Sequence, residues 1–250
     1  MLATFVRSAV RNLFAKLGYT VYRIQPEDAL PPDIDAETAA LFRTLRPFTM
    51  TSVERFCALR ESVKYVIRQN IPGSIVECGV WKGGSMMAVA KTLMELATER
   101  DLYLFDTFQG MPPPTAVDVD IRGVHADVLL ESVPLARAIA QLEEVSHNMY
   151  STGYERARIT FVSGRVEDTL PLQAPAEIAL LRLDTDWYES TKHELVHLYP
   201  RLTKGGILII DDYGHFAGAK KAVDEYFQEQ GAPIFLSRLD YTGRLVVKPS

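Results

Sequence analysis

The sequence contains only two cysteines, Cys57 and Cys78, and no strong excess of either charge. Two cysteines exclude a disulfide-rich framework and suit a reducing compartment, so we expect a cytoplasmic protein. A net charge of −5 at pH 7 offers no basic excess to nucleic acid, and no nucleic-acid partner is expected. No apolar run approaches the roughly 18–20 residues that a membrane-spanning helix needs. The 250 residues are 47% hydrophobic, which is enough to bury the core of one large α/β domain or two small ones.

Residues 1–24 are basic and contain no acidic side chain. Apolar residues recur there at helical spacing, which predicts an amphipathic helix. We favour a helix that docks on its own domain or covers the site, with peripheral membrane contact and packing on a partner subunit as alternatives. An acidic, proline-containing linker follows at residues 26–37. We therefore divide the chain into an N-terminal helical arm with its linker, residues 1–47, and a main domain, residues 48–250.

From residue 74 onward, short apolar runs alternate with segments of helical periodicity. Five strands and a closing hairpin are predicted, with strands at 74–80, 101–107 and 158–164, two that end at Asp184 and Asp211, and a hairpin across 241–243. Helices are predicted within 48–70, where Ser52 is the N-cap, and at 85–98, 134–150, 189–202 and 217–230; the proline-rich residues 108–130 are a predicted loop. The pattern predicts an α/β fold with a doubly wound, mostly parallel seven-stranded sheet and an N-terminal helical extension.

Four aspartates come directly after two of the apolar strands. Asp184 and Asp186 follow the fourth strand, and Asp211 and Asp212 follow the fifth. Because ligands bind at the carboxyl edge of parallel sheets, we expect these carboxylates to lie close together beside a ligand. Crowded carboxylates repel one another unless a cation neutralises them or a proton is shared, and oxygen-only ligands favour Mg²⁺. Capping of the following helices or turns is the alternative interpretation.

A glycine-rich turn, ECGVWKGGS at residues 77–85, follows the first strand. Its glycines permit a sharp turn and the close approach of a ligand, and the helix that begins near Ser85 offers free N–H groups. The spacing is not G-x-G-x-x-G, which weakens a dinucleotide interpretation. Glu77 instead suits an amino-bearing ligand such as the methionine part of S-adenosylmethionine, and Asp106, at the end of the second strand, can accept ribose hydroxyls. A tight turn with a helix cap is the alternative.

Several longer blocks resemble the TylF/MycF family of macrocin-type sugar O-methyltransferases. These blocks are IPGSIVECGVWKGGS, LYLFDTFQGMP, RITFVSGRVEDTLP, LLRLDTDWYESTKHEL and GGILIIDDYGHFAGAKKAVDEYF, and the similarity runs over residues 48–227. The resemblance implies a class I, Rossmann-like methyltransferase that uses S-adenosylmethionine and Mg²⁺. Its implied acceptor is a hydroxyl on the sugar of a glycoside or glycan, and a homo-oligomer is expected.

The resemblance also implies roles for individual residues. Asp184, Asp211 and Asp212 match the metal-binding aspartates, and Asp186 matches the proposed base, so Asp186 and Asp184 are the predicted catalytic residues. The predicted cofactor-binding residues are Thr51, Glu77, Gly79, Ser85, Asp106, Gly164, Val166 and Glu167. The N-terminal arm and residues 112–130, which form the acceptor pocket in the family, are where the resemblance is weakest.

Three other functions are alternatives for this sequence. His193 and His197 form a literal H-E-x-x-H, which is typical of zinc peptidases, but the motif follows a strand end and no third ligand is evident nearby. A catechol-type O-methyltransferase shares the fold and the acidic residues, yet no lysine follows Asp184, where such enzymes place their base. A non-catalytic S-adenosylmethionine-binding scaffold is the alternative from outside the enzymes.

Overall fold

A computed structural model describes residues 30–231 and 234–249 of the chain. The strands of this part are β1 Ser74–Cys78, β2 Leu102–Asp106, β3 Ile159–Ser163, β4 Ile178–Leu183, β5 Leu202–Ile210, β6 Ser237–Arg238 and β7 Arg244–Val247. They form one sheet in the order β3-β2-β1-β4-β5-β7-β6, with β1 to β5 parallel and β7 antiparallel to β5. The predicted doubly wound, mostly parallel seven-stranded sheet is confirmed. From β1 the chain adds β2 and β3 on one side of the sheet and then β4 and β5 on the other. Such sheets bind ligands at this switch point, between β1 and β4.

The helices alternate with these strands. Their bounds are α1 Ala36–Leu45, α2 Val53–Arg68, α3 Gly84–Glu95, α4 Ala126–Ser132, α5 Leu142–Ser151, α6 Val166–Thr169, α7 Tyr188–Leu198 and α8 Ala217–Glu229. Ser52 is the N-cap of α2, as predicted, because its side chain accepts a hydrogen bond from the Arg55 N–H at 3.2 Å. This cap determines where α2 begins, immediately beside the cavity described below.

The apolar core packs one face of the sheet against α7 and α8. Side chains such as Val76 and Leu183 meet Leu195 there. Because side chains alternate along a strand, Glu77 and Arg182 lie on the opposite face. These two residues are direct neighbours in the register of β1 and β4, so the pairing of the strands places a carboxylate beside a guanidinium.

The segment between β2 and β3 differs from its prediction. The helix predicted at 134–150 is interrupted, since a short 3-10 turn, Pro134–Arg137, ends at Ala138 with a left-handed φ of 47° and α5 begins only at Leu142. Conversely, α4 begins within the predicted loop and ends two residues beyond it, and the His125 ring accepts a hydrogen bond from the Asp127 N–H at the start of this helix. Local capping and a left-handed residue, which composition does not reveal, set these boundaries.

The compact unit that contains the sheet begins at Ala36, and the predicted division between residues 47 and 48 stays a prediction. Helix α1 belongs to the main unit because Phe42 packs on Phe56 at 5.1 Å between ring centroids and Thr38 accepts a hydrogen bond from Arg60. The predicted N-terminal amphipathic helix lies outside the described residues. Among the described helices, none combines the length and hydropathy needed to cross a bilayer.

Candidate active site

A cavity of about 460 Å³ opens at the carboxyl ends of β1, β2, β4 and β5. It brings together residues from the glycine-rich turn, the segment before α2 and the two aspartate-tipped strands. The sequence-predicted site residues on its wall are Thr51, Gly79, Ser85, Asp106, Gly164, Val166, Glu167, Asp184, Asp186, Asp211 and Asp212. Glu77 lies behind this wall, 1% exposed. The predicted donor and metal residues therefore share one site.

The glycine-rich turn is pressed against the end of β4. Gly79 has a φ of 80°, and a Cβ at this position would lie 2.0 Å from the Asp184 carbonyl oxygen. The Asp184 N–H in turn donates to the Cys78 carbonyl at 2.9 Å. Only glycine fits both the backbone angle and the space. This contact joins the donor half of the site directly to the acidic half.

Asp106 holds the other side of the turn. Its Oδ2 accepts hydrogen bonds from the N–H groups of Val80 at 2.8 Å and Trp81 at 3.1 Å, and its Oδ1 accepts one from Phe108 at 2.8 Å. Burial raises the pKa of Asp106, and these N–H donors oppose the rise. The structure thus gives Asp106 a clear role in shaping the turn, while its contact with ribose stays a prediction.

The segment before α2 covers the start of α3. A Cβ on Gly84 would lie 2.4 Å from the Phe48 carbonyl oxygen, so the two backbones touch. Thr49 and Thr51, one and three residues after Phe48, are buried, and the Thr51 hydroxyl has no hydrogen-bond partner within the described residues. A buried hydroxyl without a partner costs free energy unless a ligand satisfies it. Thr51 therefore fits its predicted role beside the cofactor.

Glu77 also has a buried polar atom without a hydrogen-bond partner, and here the atom belongs to a carboxylate. Arg182 donates to its Oε1, but its Oε2 is buried without a partner in the described part of the chain. Burial is the main cause that raises the pKa of Glu77 to about 7, and Arg182 opposes it. A buried carboxylate oxygen without a hydrogen-bond donor is suited to bind an ammonium group of a ligand. These residues fit the amino end of S-adenosylmethionine.

Three carboxylates converge at the other end of the cavity. Asp184, Asp186 and Asp212 each present an oxygen, and these oxygens lie within 4.8 Å of one another. The Asp212 Oδ2 is buried and has no partner among the described residues. Oxygen ligands, clustered negative charge and an unsatisfied acceptor are the features of a site for a hard divalent cation. The donor set fits Mg²⁺.

Asp211 is placed differently from its prediction. Its Oδ1 accepts a hydrogen bond from Arg182 at 2.6 Å, and its Oδ2 pairs with Arg55. Both oxygens therefore face guanidinium groups, and Asp186 takes the place of Asp211 in the cluster of three. The reason is electrostatic, since a carboxylate between two cations is already neutralised. A direct metal-ligand role for Asp211 stays a prediction.

Arg182 is a site residue that the prediction missed. Its guanidinium, on the buried strand β4, contacts Glu77, Asp184 and Asp211, with the Asp184 contact at 2.7 Å. These acids follow or belong to three neighbouring strands, so one cation joins the donor and metal halves. The sequence did carry a signal, because Arg182 is the only charge in the apolar run Ile178–Leu183.

The turn between Asp184 and Asp186 is supported from beneath by Glu194. The Thr185 hydroxyl donates to Glu194 Oε1 at 2.9 Å, and Glu194 is fully buried. Asp186 itself adopts a left-handed φ of 66°, a strain that is tolerated where surrounding contacts fix the backbone. In the H-E-x-x-H sequence the glutamate thus points inward. The two histidine rings of this motif, His193 and His197, are half-buried and lie 4.3 Å apart, and within residues 30–231 and 234–249 they belong to no cluster of metal-ligating side chains.

An apolar wall faces the acidic cluster. It is built from the segment between β2 and β3 and includes Met111, Pro112, Leu129 and Leu130. Trp187, directly after Asp186, donates its ring N–H to the Pro112 carbonyl at 2.9 Å and is buried. Trp187 therefore anchors the wall through this hydrogen bond and its buried ring. The wall is the surface on which a second substrate would lie.

Asp118 anchors the same segment from the other side. This buried carboxylate accepts hydrogen bonds from the Tyr188 N–H at 2.8 Å and from the Thr115 N–H at 2.7 Å. A Cβ on Gly218 would lie 2.3 Å from Asp118 Oδ1. The starts of α7 and α8 thus hold the wall in place, although its sequence reads as an irregular loop.

The metal-free acidic cluster retains protons near neutral pH. Burial raises the pKa of Asp186 to about 7 and raises that of Asp212 well above its ordinary value. Asp184 adds to both shifts, while the hydrogen bond between Asp186 and Asp212 opposes the rise at Asp186. In the unfolded chain both groups have ordinary pKa values near 4. Folding therefore takes up protons between pH about 4 and 7, and the stability of the metal-free protein falls as the pH rises through that window.

Asp212→Asn is accordingly expected to raise the Tm of the metal-free protein by roughly 2–6 °C at pH 8, because it removes one repelling carboxylate. The increase should be smaller at pH 5, where the proton already relieves the repulsion. Thermal unfolding in EDTA at both pH values checks this, with the exposed Asp224→Asn on α8 as control. An Asp212→Asn Tm at or below that of the wild type at pH 8 would contradict it.

Comparison with known proteins gives a consistent family. The model of the macrocin-O-methyltransferase (TylF) family matches residues 27–248. The chain is 36% identical over 196 residues to the 8-demethyl-8-(2,3-dimethoxy-alpha-L-rhamnosyl)-tetracenomycin-C 4'-O-methyltransferase of Streptomyces olivaceus, covering 78% of this chain and 73% of the relative. It is 32% identical over 201 residues to the mycinamicin III 3''-O-methyltransferase of Micromonospora griseorubida, covering 78% and 76%.

Solved structures of O-methyltransferases share the fold of this chain. The O-methyltransferase NovP superposes with a TM-score of 0.71 at 32% identity, covering 81% of this chain and 83% of NovP. The calicheamicin methyltransferase CalS11, at 22% identity and a TM-score of 0.56, covers 92% of this chain and 99% of its own and shows the shared fold.

Proposed function

Because the chain belongs to the TylF family of macrocin O-methyltransferases and is an S-adenosylmethionine-dependent O-methyltransferase, we propose that it methylates a sugar hydroxyl of a glycoside with the help of Mg²⁺. The observation that carries this proposal is one cavity with an unsatisfied buried acceptor in its acidic cluster and a second directly behind its wall. Asp212 Oδ2 lies in the acidic cluster, and Glu77 Oε2 lies at the start of the glycine-rich turn, behind the wall. The first suits a divalent cation and the second an amino-bearing donor.

Asp184, Asp186 and Asp212 would hold the metal, as their grouped oxygens indicate. A bound divalent cation supplies positive charge that lowers the pKa of a sugar hydroxyl and fixes its orientation. The resemblance adds Asp211, which would become available when Arg55 moves away. Thr185 and Glu194 would keep the Asp184–Asp186 turn in place through their hydrogen bond.

Asp186 is the proposed general base and would take the hydroxyl proton at a carboxylate oxygen. It lies on the cavity wall beside Asp184 and Asp212, where the acceptor hydroxyl would be placed. At the other end of the cavity, Glu77 and Thr51 would bind the methionine part of the donor. The backbone contact between Gly79 and Asp184 keeps the two ends together, and such positioning of donor and acceptor is a large source of rate acceleration.

The acceptor is proposed to be a glycoside because the relatives are named for glycoside or glycosylated antibiotic substrates. The apolar wall of Met111, Leu129 and Leu130 suits an uncharged aglycone next to the sugar. A phenol acceptor is the weaker alternative, since Thr185, not lysine, follows Asp184. The predicted homo-oligomer and the predicted membrane contact of the N-terminal helix both stay predictions.

A methyl-transfer assay with radiolabelled S-adenosylmethionine tests the function. The acceptors are a rhamnosyl polyketide glycoside, free rhamnose and a catechol, each with and without Mg²⁺. We expect label on the glycoside, with its loss in EDTA and recovery on adding Mg²⁺. Label on the catechol with none on the glycoside would overturn the sugar assignment, and no methyl transfer from a donor-binding protein to any acceptor would favour the scaffold.

The affinity for a divalent cation is expected to decrease as the pH is lowered. Below pH 7 the Asp186–Asp212 pair retains its proton, which a divalent cation must displace. The dissociation constant for Mn²⁺, used as a probe for Mg²⁺, should therefore rise by up to about tenfold between pH 7 and pH 6 for each proton released. Calorimetry in buffers of different ionisation enthalpy measures both the affinity and the released protons. An affinity that is constant from pH 6 to pH 8 would contradict this expectation.

A further inference from the structure

Arg55 is a cation of the active site that the proposed reaction does not use. It lies in the first turn of α2, lines the cavity and has a side chain 13% exposed. Its Nη1 pairs with Asp211 Oδ2, and its Nε donates to Asp240 Oδ2 at 2.9 Å. The Ser52 hydroxyl donates to the same Asp240 oxygen at 2.6 Å. Arg55 therefore links the acidic half of the cavity to the turn before β7.

Arg182, the other arginine at Asp211, differs in two respects. Its side chain is 5% exposed on a central strand, and it contacts three carboxylates. Withdrawing it would leave the buried Glu77 without a cation and would remove one of the two cations at Asp211. Arg55 instead extends from the start of a helix at the cavity wall, and Asp240 provides it with a second anion. Arg55 can thus leave Asp211 without losing its remaining ion pair.

The pairing of Arg55 with Asp211 explains why Asp211 is not part of the three-carboxylate cluster. One Asp211 oxygen is bound by Arg182 and the other by Arg55, so no oxygen of this carboxylate is free for another cation. Asp211 directly precedes Asp212, whose Oδ2 is buried and unpartnered among the described residues. A cation that binds Asp212 would lie near the Arg55 guanidinium, which pairs with the adjacent Asp211, and the two positive charges would repel each other.

We propose that Arg55 is the resident counter-cation of Asp211, which it neutralises in the metal-free protein and releases when a divalent cation binds. This inference rests on the proposed metal site and adds a residue that opposes metal binding. Arg55 and the metal oppose each other, since Arg55 neutralises Asp211, the direct neighbour of Asp212 in the proposed metal cluster, and two cations there repel. Arg55 is a positioning residue that keeps the acidic site ordered while no metal is bound.

Arg55 also stabilises the donor side of the cavity. A Cβ on Gly243 would lie 2.8 Å from Arg55 Cδ, so the arginine packs closely on the turn before β7. Asp240 organises that turn by accepting hydrogen bonds from the N–H groups of Thr242 and Gly243 at 2.9 and 2.7 Å. The network includes Ser52, which directly follows Thr51 in the segment before α2. Loss of Arg55 should therefore loosen the segment that covers the donor.

Two substitutions with opposite expected effects test this inference. Arg55→Met removes the competing charge, so the metal-free protein should bind Mn²⁺ about tenfold more tightly. Asp240→Asn removes the alternative anion for Arg55 and strengthens its hold on Asp211, so Mn²⁺ should bind more weakly than to the wild type. The matched control Arg68→Met, at an exposed position of the same helix, should leave Mn²⁺ affinity unchanged.

The experiment is a calorimetric titration of the full chain with Mn²⁺, without donor or acceptor, followed by a titration with S-adenosylhomocysteine. Arg55→Met should bind S-adenosylhomocysteine about tenfold more weakly while it binds Mn²⁺ more tightly, a combination that general destabilisation would not produce. Equal or weaker Mn²⁺ binding by folded Arg55→Met overturns the inference, and if that variant does not fold, unchanged or tighter Mn²⁺ binding by Asp240→Asn does so. A wild-type protein that binds no Mn²⁺ overturns the proposed metal site itself.

Discussion

Asp184→Asn is expected to lower kcat by about 10²–10³-fold, while the affinity for S-adenosylmethionine changes by no more than about threefold. Asp184 is one of the three grouped carboxylates, and its side chain is 28% exposed toward the cavity. The substitution removes a negative ligand with almost no change in volume. Glu77 keeps its ion pair with Arg182, so the donor end should remain intact.

Single-turnover kinetics and calorimetric donor binding measure the two effects separately. The matched variant is Glu77→Gln, which should show the reverse pattern, with weakened donor binding and nearly normal metal binding. Asp224→Asn, on the exposed face of α8, controls for loss of an acidic side chain outside the cavity. Wild-type turnover by Asp184→Asn, or undiminished wild-type turnover in EDTA, would exclude a metal from the reaction.

Arg182→Met is expected to destabilise the protein by about 3–5 kcal/mol, since it leaves buried carboxylates without their cation. In a chain of this size that loss corresponds to a decrease in Tm of roughly 10 °C. Arg182 contacts Glu77, Asp184 and Asp211, and two of these are almost completely buried. Arg60→Met is the matched control. Arg60 is equally buried, but Glu95 is its one ion-pair partner among the described residues and has a side chain 31% exposed, so the loss should be smaller.

The double variant Glu77→Gln/Arg182→Met separates charge from packing. Removing the most deeply buried acid should restore part of the lost Tm, because one unpaired carboxylate is gone. Thermal unfolding of the wild type, Glu77→Gln, Arg182→Met and the double variant in one buffer measures this coupling, with Arg60→Met as the fifth protein. Equal Tm decreases for Arg60→Met and Arg182→Met, together with no recovery in the double variant, would show that lost packing volume accounts for the effect.

Much of the site could be predicted because parallel strands carry their following residues to a common edge. The apolar runs before Asp184 and Asp211 identified two central strands, and the glycines after Glu77 identified the turn that faces them. The interrupted helix at Ala138 and the added helix α4 could not be predicted in the same way. They depend on a left-handed backbone angle and on a histidine cap, which are local features without a clear pattern in composition.

The sequence by itself determined the order of strands and helices, the edge at which the acidic residues gather and the family of the chain, because each depends on short-range periodicity or on recognisable blocks. Only the tertiary structure decided which acids face the cavity together. Arg55 comes from the start of α2 and Arg182 from the middle of β4, and both reach Asp211 although they are distant from each other in the chain. A carboxylate is available to a ligand only if no cation already neutralises it, and that depends on contacts between segments far apart in sequence.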